Sequence, residues 1–201
     1  GILAIISNKY KNTAELFDLL EKIQHRGQDA SGIACTDNTN SNLIGVKKME
    51  GGVKNLKRKC ALLNSNIFLG HTRYITSGDR MKEGSQDGIH PIVSLFQGET
   101  YAFVFNGNIP FISSNFSKDT EFIKDFIRQR DHKDNSFKDV LISFVKEIPR
   151  AFNIIFLYKS QVYAIRDVYG TRPFKILKSN NDDCIYLTSE DYFLENKCWI
   201  N

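Results

Sequence analysis

The chain has 201 residues, a net charge of +4 and 41% hydrophobic residues, which is enough apolar material for one substantial core. No stretch approaches the roughly 18 consecutive apolar residues of a membrane span, and residues 1–7 lack the basic flank and cleavage site of a secretory signal. We therefore expect a single globular domain over residues 1–201, located in the cytoplasm.

The cysteines and the basic residues indicate neither a metal site nor a nucleic-acid surface. Cys35, Cys60, Cys184 and Cys198 have no metal-ligand spacing and are too sparse for a disulfide framework. Positive charge is concentrated only at residues 54–59, a pattern typical of the solvated face of a short helix. A nucleic-acid adaptor is a minor alternative that rests on this cluster alone. We predict no metal or organic cofactor.

The start of the chain predicts a strand followed by a helix. Residues 2–6 have the apolar, branched composition of a strand. Asn12 followed by Glu15 is typical of a capping box, and apolar residues recur at helical spacing as far as Ile23. The helix should end near Gln24.

The remaining elements alternate between short strands and two amphipathic helices. Strands are predicted at residues 32–36, 43–47, 67–71, 101–106, 151–158, 162–166, 174–178 and 184–189, and helices near 119–130 and 137–148. Loops are predicted at residues 36–42, 76–88, 113–118 and 178–183, and Lys159 and Ser160 suit a hairpin loop. Because two of the strands are apolar on nearly every residue, both their faces should be covered, as in two stacked sheets flanked by helices.

Residues 24–32 form a polar, small-residue segment between the first helix and an apolar strand. Gly27 in a left-handed helix cap would be a sufficient structural explanation. Arg26 and Asp29 are three residues apart, so that an ion pair between them could fix the backbone beside a site.

Residues 70–78 run from the end of a strand into a polar loop, which is the usual place for binding residues. The guanidinium of Arg73 presents a planar fork that matches both oxygens of a carboxylate. A plain surface arginine is an equally good explanation of the spacing.

Asn106-Gly107 follows an apolar strand and is a strong signal for a tight hairpin. The same pair could direct a side-chain amide and a backbone N–H toward one point, as an oxyanion hole requires. Asp119 stands at the predicted start of a helix, where a carboxylate normally caps the helix or complements its dipole. Its fixed position would also suit it to hold an ammonium group.

Taken together, these segments resemble the glutaminase domain of class II (N-terminal-nucleophile) glutamine amidotransferases, and in particular the amidophosphoribosyltransferases among them. The combination is more specific than any of its members. The matching residues are 1–2, 24–32, 70–74, 90–91, 106–108, 119–121, 166–173 and 189–190.

The resemblance implies an α+β fold, a four-layer αββα sandwich of two mainly antiparallel sheets, and hydrolysis of L-glutamine to glutamate and ammonia. It assigns Arg73 to the α-carboxylate of glutamine, Asp119 to its α-ammonium group, and Asn106 and Gly107 to the oxyanion hole.

Further residues receive weaker assignments from the same resemblance. It gives His90 a supporting contact with the glutamine carboxylate, and it places Gly27 and Tyr74 in the lining of the site. Residues 166–172 match a loop that is expected to be architectural.

The family's nucleophile is a cysteine that directly precedes the glycine matched by Gly1, with its own α-amino group as the base. None of the four cysteines occupies that position. We expect such a cysteine before Gly1, because the predicted carboxylate, ammonium and oxyanion groups are all present. A catalytically inactive pseudo-glutaminase that senses glutamine is the alternative.

Two further differences concern the partner and the substrate loop. The amidophosphoribosyltransferases continue into a phosphoribosyl-transfer domain, for which this sequence offers no phosphate-cradling loop or second core. The ammonia acceptor is then expected in a synthase subunit or a further domain. Lys118 stands where the family motif usually has serine before the aspartate.

Overall fold

The computed structural model describes residues 1–37, 43–74, 88–109, 118–179, 183–191 and 197–199, and in the last of these ranges it describes the backbone alone. Most of the predicted loops 36–42, 76–88 and 113–118, and half of the predicted loop 178–183, lie outside those ranges. None of the helices in the described ranges is long and apolar enough to cross a membrane.

The first part of the chain alternates between strands and helices in the order in which the sequence predicts them. Its elements are β1 (Ile2–Asn12), α1 (Thr13–Lys22), a 3₁₀ helix (Gln24–Arg26), β2 (Ala30–Thr36), β3 (Ile44–Glu50), α2 (Val53–Lys59) and β4 (Asn64–Arg73).

The second part adds a second sheet, two helices and the strands that complete the first sheet. Its elements are β5 (Ile92–Phe96), β6 (Glu99–Asn108), α3 (Asp119–Gln129), α4 (Phe137–Glu147), β7 (Ala151–Tyr158), β8 (Gln161–Arg166), β9 (Lys175–Ser179), β10 (Cys184–Thr188) and β11 (Lys197–Trp199).

Helix α1 begins as predicted, with one difference in its first turn. The side chain of Asn12 accepts a hydrogen bond from the Ala14 N–H at 2.9 Å, and this caps the helix. Glu15 does not complete a capping box. Its carboxylate instead accepts from Lys11 at 2.8 Å and from the Tyr186 hydroxyl at 2.6 Å, and so ties the helix to β10.

In the described ranges the strands form two antiparallel sheets. The larger has seven strands in the order β11-β9-β10-β1-β4-β2-β3, and the smaller has four in the order β5-β6-β7-β8. Strand β1 therefore lies at the centre of the larger sheet, with Ile2 opposite His71 and Leu3 opposite Thr188. This placement sets the first residues of the chain beside the end of β4.

Three apolar layers join the sheets and helices. Helices α1 and α2 cover the outer face of the larger sheet through Leu16, Phe17, Leu20, Val53 and Leu56. The two sheets face each other through Ile2, Leu69, Val104, Ile155 and Leu187. Helices α3 and α4 cover the smaller sheet through Ile123, Phe126, Val140, Leu141 and Phe144.

This arrangement is a four-layer αββα sandwich, so the predicted fold class is confirmed. Residues on both faces of β6 and β7 are buried, with Phe103 and Phe156 on the helix side and Val104 and Ile155 between the sheets. Each buried aromatic or aliphatic side chain contributes about 1.5–3 kcal/mol. The two-sided burial explains why these strands are apolar on nearly every residue.

The structure corrects the sequence interpretation at several places. The hairpin alternative for Asn106-Gly107 is wrong, because β6 continues through Asn108 in register with β7. Strands β5 and β11 were not predicted. The hairpin at Lys159 and Ser160 is confirmed, with φ angles of 48° and 56°.

Candidate active site

The ends of β1, β4 and β6 and the start of α3 enclose a cleft of about 580 Å³. It lies at one end of the two stacked sheets. Its lining comprises Gly1, Arg26, His71, Thr72, Arg73, Tyr74, Gly88, His90, Phe105, Asn106, Gly107, Asn108, Lys118, Asp119, Thr120 and Arg172.

The cleft collects most of the residues that the sequence assigns to a site. Arg73, Tyr74, His90, Asn106, Gly107 and Asp119 all line it. They come from separate strands, a helix start and a segment before β5, and only the packing of the two sheets brings them together.

Arg73 is the last residue of β4, and its backbone packs closely against Gly27. A Cβ atom on Gly27 would lie 2.4 Å from the Arg73 carbonyl carbon, which only glycine permits. Gly27 is not among the lining residues, and its φ of 175° is extended, so the predicted left-handed cap is wrong. The Asp29 N–H also donates to the Arg73 carbonyl oxygen at 3.0 Å.

Tyr74 and Asp119 line the cleft from the end of a strand and the start of a helix. Tyr74 follows the end of β4 and is 69% exposed. Asp119 is the first residue of α3, where it complements the positive end of the helix dipole. The N-cap position is occupied by Lys118, which makes no side-chain capping bond. The cleft wall thus carries a carboxylate on a rigid helix start and a guanidinium on a rigid strand end.

The side chain of Asn106 is held in one orientation. Its Oδ1 accepts a hydrogen bond from Arg172 Nη1 at 3.1 Å. Because a guanidinium can only donate, this contact identifies the atom facing Arg172 as the oxygen. The amide nitrogen Nδ2 is buried and has no partner. A fixed N–H donor therefore stands unused in the cleft wall.

The backbone N–H of Gly107 is directed away from β7. Phe152, which lies opposite Gly107, accepts from the Asp167 N–H at 3.0 Å, so its peptide groups face β8. In an antiparallel pair of this kind the two residues do not bond to each other. Gly107 lies beyond the end of β5, which begins with Ile92 opposite Phe103. Its N–H is left on the same open edge of β6 as the cleft.

Gly107 also requires the absence of a side chain. A Cβ atom there would lie 2.6 Å from the ring of Phe105 and 2.9 Å from the Phe152 Cβ. The close packing of these aromatic residues fixes the backbone that carries the N–H.

Two neutral histidines form the floor of the cleft. The rings of His71 and His90 lie 4.3 Å apart between centroids, and His71 Nε2 donates to the Phe105 carbonyl oxygen at 3.1 Å. Burial, with a contribution from the charge on Arg73, lowers the pKa of His90 to about 3. Burial and the neighbouring His90 likewise lower the pKa of His71 well below its usual value.

The start of β1 is tied to the end of β10. The hydroxyl of Ser189 accepts from the Ile2 N–H at 2.8 Å. The expected partner of Arg26 was Asp29, but Arg26 Nη1 lies 2.7 Å from Glu190 Oε1. Burial raises the pKa of Glu190, but hydrogen bonds from Arg26 and His25 outweigh this effect and lower it overall. These contacts hold Gly1 in the cleft wall.

Arg166 and Asp167 are architectural, as predicted, but Arg172 also reaches the cleft. Asp167 accepts hydrogen bonds from the N–H groups of Tyr169 and Thr171 and from the Thr171 hydroxyl. Arg166 donates to the carbonyl oxygens of Gly170 and Arg172. Sequence reasoning missed the contact of Arg172 with Asn106, because the residues are 66 positions apart.

Metal ligands and cysteines are the remaining groups that could bring chemistry to the cleft. In the described ranges no group of three or more His, Cys, Asp or Glu side chains is placed to hold a metal ion. Cys35, Cys60 and Cys184 are the cysteines whose side chains the structure describes, and none of them lines the cleft.

Comparisons with known proteins relate the chain to amidophosphoribosyltransferases. No protein-family model matches it. It is 30% identical over 173 residues to an amidophosphoribosyltransferase of Mus musculus, covering 75% of this chain and 32% of that protein. It is 27% identical over 208 residues to an amidophosphoribosyltransferase of Methanocaldococcus jannaschii, covering 95% of this chain and 42% of that protein.

A solved structure has the same fold over the whole chain. The glutamine phosphoribosylpyrophosphate amidotransferase of B. subtilis superposes with a TM-score of 0.75, at 18% identity, over 99% of this chain and 44% of that one. The chain thus spans less than half the length of these three proteins. The resemblance predicted from the sequence is confirmed: the chain is a relative of the glutaminase domain of the class II (N-terminal-nucleophile) glutamine amidotransferases.

Proposed function

We propose that residues 1–201 form a glutaminase domain that hydrolyses L-glutamine to glutamate and ammonia in this cleft. The observation that carries the proposal is the buried Asn106 Nδ2, an unpartnered donor whose orientation Arg172 fixes. Buried donors normally find partners, and one that has none is suited to a charge that develops only during reaction. The N–H of Gly107 on the same strand edge would supply the second donor.

In this proposal Arg73 and Asp119 recognise the two charges of the amino acid. The guanidinium would pair with both carboxylate oxygens, and the carboxylate would accept from the α-ammonium group. His90 and Tyr74 would complete the binding site, His90 as a neutral ring on the floor and Tyr74 at the opening. Gly27 would act indirectly, through the backbone of Arg73.

We propose further that a cysteine precedes Gly1 and supplies the nucleophile. Gly1 and Thr72 exchange backbone hydrogen bonds of 2.7 Å and 2.9 Å, so one more residue of β1 would lie opposite Arg73, beside the cleft. Its α-amino group, with an ordinary pKa of about 8, would be available in part as an uncharged amine, which is the form that can act as a base.

The chemistry would run in two stages. The cysteine sulfur adds to the side-chain amide carbon of glutamine while its proton passes to the α-amine. The resulting oxyanion is stabilised by Asn106 Nδ2 and the Gly107 N–H until the C–N bond breaks and ammonia leaves with that proton. Water then cleaves the thioester, releases glutamate and restores the thiol.

The fate of the ammonia depends on chemistry outside this domain. The relatives named amidophosphoribosyltransferase are longer than this chain, so the acceptor is proposed to lie in a further domain or a synthase subunit. A cytoplasmic location stays a prediction, as does the absence of a nucleic-acid partner.

The proposal is tested by the intact mass and the N-terminal peptide of the mature protein, followed by an assay for glutamate. We expect a cysteine before Gly1, release of glutamate from glutamine, and covalent labelling of that cysteine by a diazo ketone analogue of glutamine. Arg73→Ala should raise the KM for glutamine by on the order of a hundredfold, with Arg73→Lys intermediate. A mature protein with the cysteine that neither takes the label nor makes glutamate would overturn the proposal.

A second candidate is supported by the cysteines that the structure describes, because none of Cys35, Cys60 and Cys184 lines the cleft. A mature chain without a preceding cysteine would then be a glutamine sensor. Calorimetry would show glutamine binding that Arg73→Ala abolishes, with no glutamate formed.

A further inference from the structure

The turn after β8 and the cleft are joined by a chain of hydrogen bonds that ends on Asn106. Arg172 Nη1 donates to Asn106 Oδ1 at 3.1 Å. The turn that carries Arg172 is itself fixed by Arg166, which donates to the Arg172 carbonyl oxygen at 3.2 Å. The guanidinium therefore reaches Asn106 from a braced backbone.

Asn153 adds a second support from inside the smaller sheet. It lies directly opposite Asn106 in the β6–β7 ladder and has no exposed surface. Its side-chain nitrogen donates to the carbonyl oxygen of Pro173 at 2.9 Å. The strand neighbour of Asn106 thus holds the backbone segment that carries the guanidinium.

Bracing of the turn alone would not require the contact with Asn106. Arg166 and Asp167 already supply hydrogen bonds within the turn. A guanidinium placed on the amide oxygen has two consequences for the other end of the amide. It prevents the amide from turning over, and it draws electron density toward the oxygen, which makes the N–H a stronger donor.

We propose that Arg172 is a positioning residue for the reaction, and that it acts by fixing and polarising the Asn106 amide so that Nδ2 faces the oxyanion. Asn153 assists by holding the segment from which Arg172 extends. This inference rests on the proposed glutaminase function, which assigns Asn106 to the oxyanion hole. Its geometric part, the control of the Asn106 orientation by Arg172, is independent of that function.

The kinetic test compares Arg172→Ala with the mature wild-type protein. We expect kcat to fall by on the order of tenfold to a hundredfold, because one oxyanion donor is misplaced but present. The KM for glutamine should stay within about twofold, because Asn106 would act after binding. Low millimolar ethylguanidinium should restore a part of kcat, and urea at the same concentration should not.

The matched control is Arg130→Ala, which removes a guanidinium paired with Glu147 on the outer helices. It should leave kcat and KM unchanged. If Arg172→Ala does not fold, Arg172→Met keeps the packing of the stem and loses the donors. A fall in kcat that ethylguanidinium does not reverse, or an equal fall in Arg130→Ala, would overturn the proposal.

The geometric test measures the NMR resonances of the Asn106 side-chain NH₂ group. These two resonances are assigned by their disappearance in Asn106→Asp. Arg172→Ala should shift and broaden this pair, while Arg130→Ala should leave it unchanged. An unchanged pair in Arg172→Ala would overturn the proposal even where activity falls. A mature protein without glutaminase activity would overturn the proposed function. In that case the NMR spectrum alone would show whether Arg172 fixes the orientation of Asn106.

Discussion

The turn formed by residues 167–171, which we call the Asp167 turn, and the cleft wall are two neighbouring polar regions that are built in opposite ways. In the Asp167 turn the buried carboxylate accepts from two N–H groups and a hydroxyl. In the cleft, His71 Nδ1, both ring nitrogens of His90 and Asn106 Nδ2 are buried and have no partner.

The contrast separates architecture from function. Of the eight buried side-chain nitrogen and oxygen atoms that lack a partner among the described residues, six belong to residues that line the cleft. An unpaired buried polar atom costs about 1–3 kcal/mol. The concentration of such atoms in one cleft indicates a ligand-binding site. In the Asp167 turn, by contrast, the carboxylate and its donors satisfy one another.

The largest expected effect is the loss of turnover in Asn106→Ala. We expect kcat to fall by on the order of a hundredfold or more, while glutamine affinity stays nearly unchanged and the free energy of unfolding falls by about 1–2 kcal/mol. The lost Nδ2 donor has no partner in the folded protein, whereas the lost Oδ1 accepts one hydrogen bond, from Arg172. Steady-state kinetics and urea unfolding measure the two quantities. A large loss of glutamine affinity would instead show that Asn106 binds the ground state.

Substitution of Asp167 should instead lower the stability of the fold. Asp167→Ala should lower the free energy of unfolding by about 2–3 kcal/mol, because the N–H groups of Tyr169 and Thr171 lose a charged acceptor. Asp167→Asn keeps an acceptor of similar size and should cost about 1 kcal/mol. Urea unfolding of both variants measures the difference. Equal stability of Asp167→Ala and the wild type would contradict the assignment of the turn to architecture.

The sequence was sufficient for the elements whose signal is local. The apolar periodicity of α1, α3 and α4 and the two-sided apolar pattern of β7 predicted these elements to within about two residues. Strand β5 was missed because its exposed residues Val93 and Leu95 are apolar, which removes the alternation that predicts a half-buried strand.

The candidate site was predictable as a set of residues but not as a set of contacts. Arg73 and Asp119 stand at the end of a strand and the start of a helix, so their positions follow from local structure. The pairs Arg172–Asn106 and Arg26–Glu190 join residues that are 66 and 164 positions apart. Such pairings depend on the register of two sheets, which no local pattern encodes.

The neutral histidines of the cleft wall should make stability depend on pH. An unfolded histidine takes up a proton near pH 6.5, whereas burial holds the pKa of folded His90 at about 3. Between these values the unfolded state binds the extra proton, so stability falls as the pH falls, by about 1.4 kcal/mol per pH unit for each such histidine. His90→Gln should reduce this slope in urea titrations between pH 7 and 5. The exposed His132→Gln is the control, and an unchanged slope in His90→Gln would show that folded His90 can be protonated.

The smallest expected effect comes from Arg166→Ala, and it gives the sharpest comparison between the two regions. Arg166 and Arg172 both belong to the segment around the Asp167 turn, but only Arg172 donates to Asn106. The Arg166 side chain is exposed, so water can replace its bonds, and we expect a cost of about 0.5–1 kcal/mol in unfolding free energy. Because Asn153 still holds the Pro173 carbonyl oxygen, kcat should change by less than about threefold. If kcat fell as far as in Arg172→Ala, the position of the whole turn, and not the guanidinium on the amide oxygen, would control Asn106.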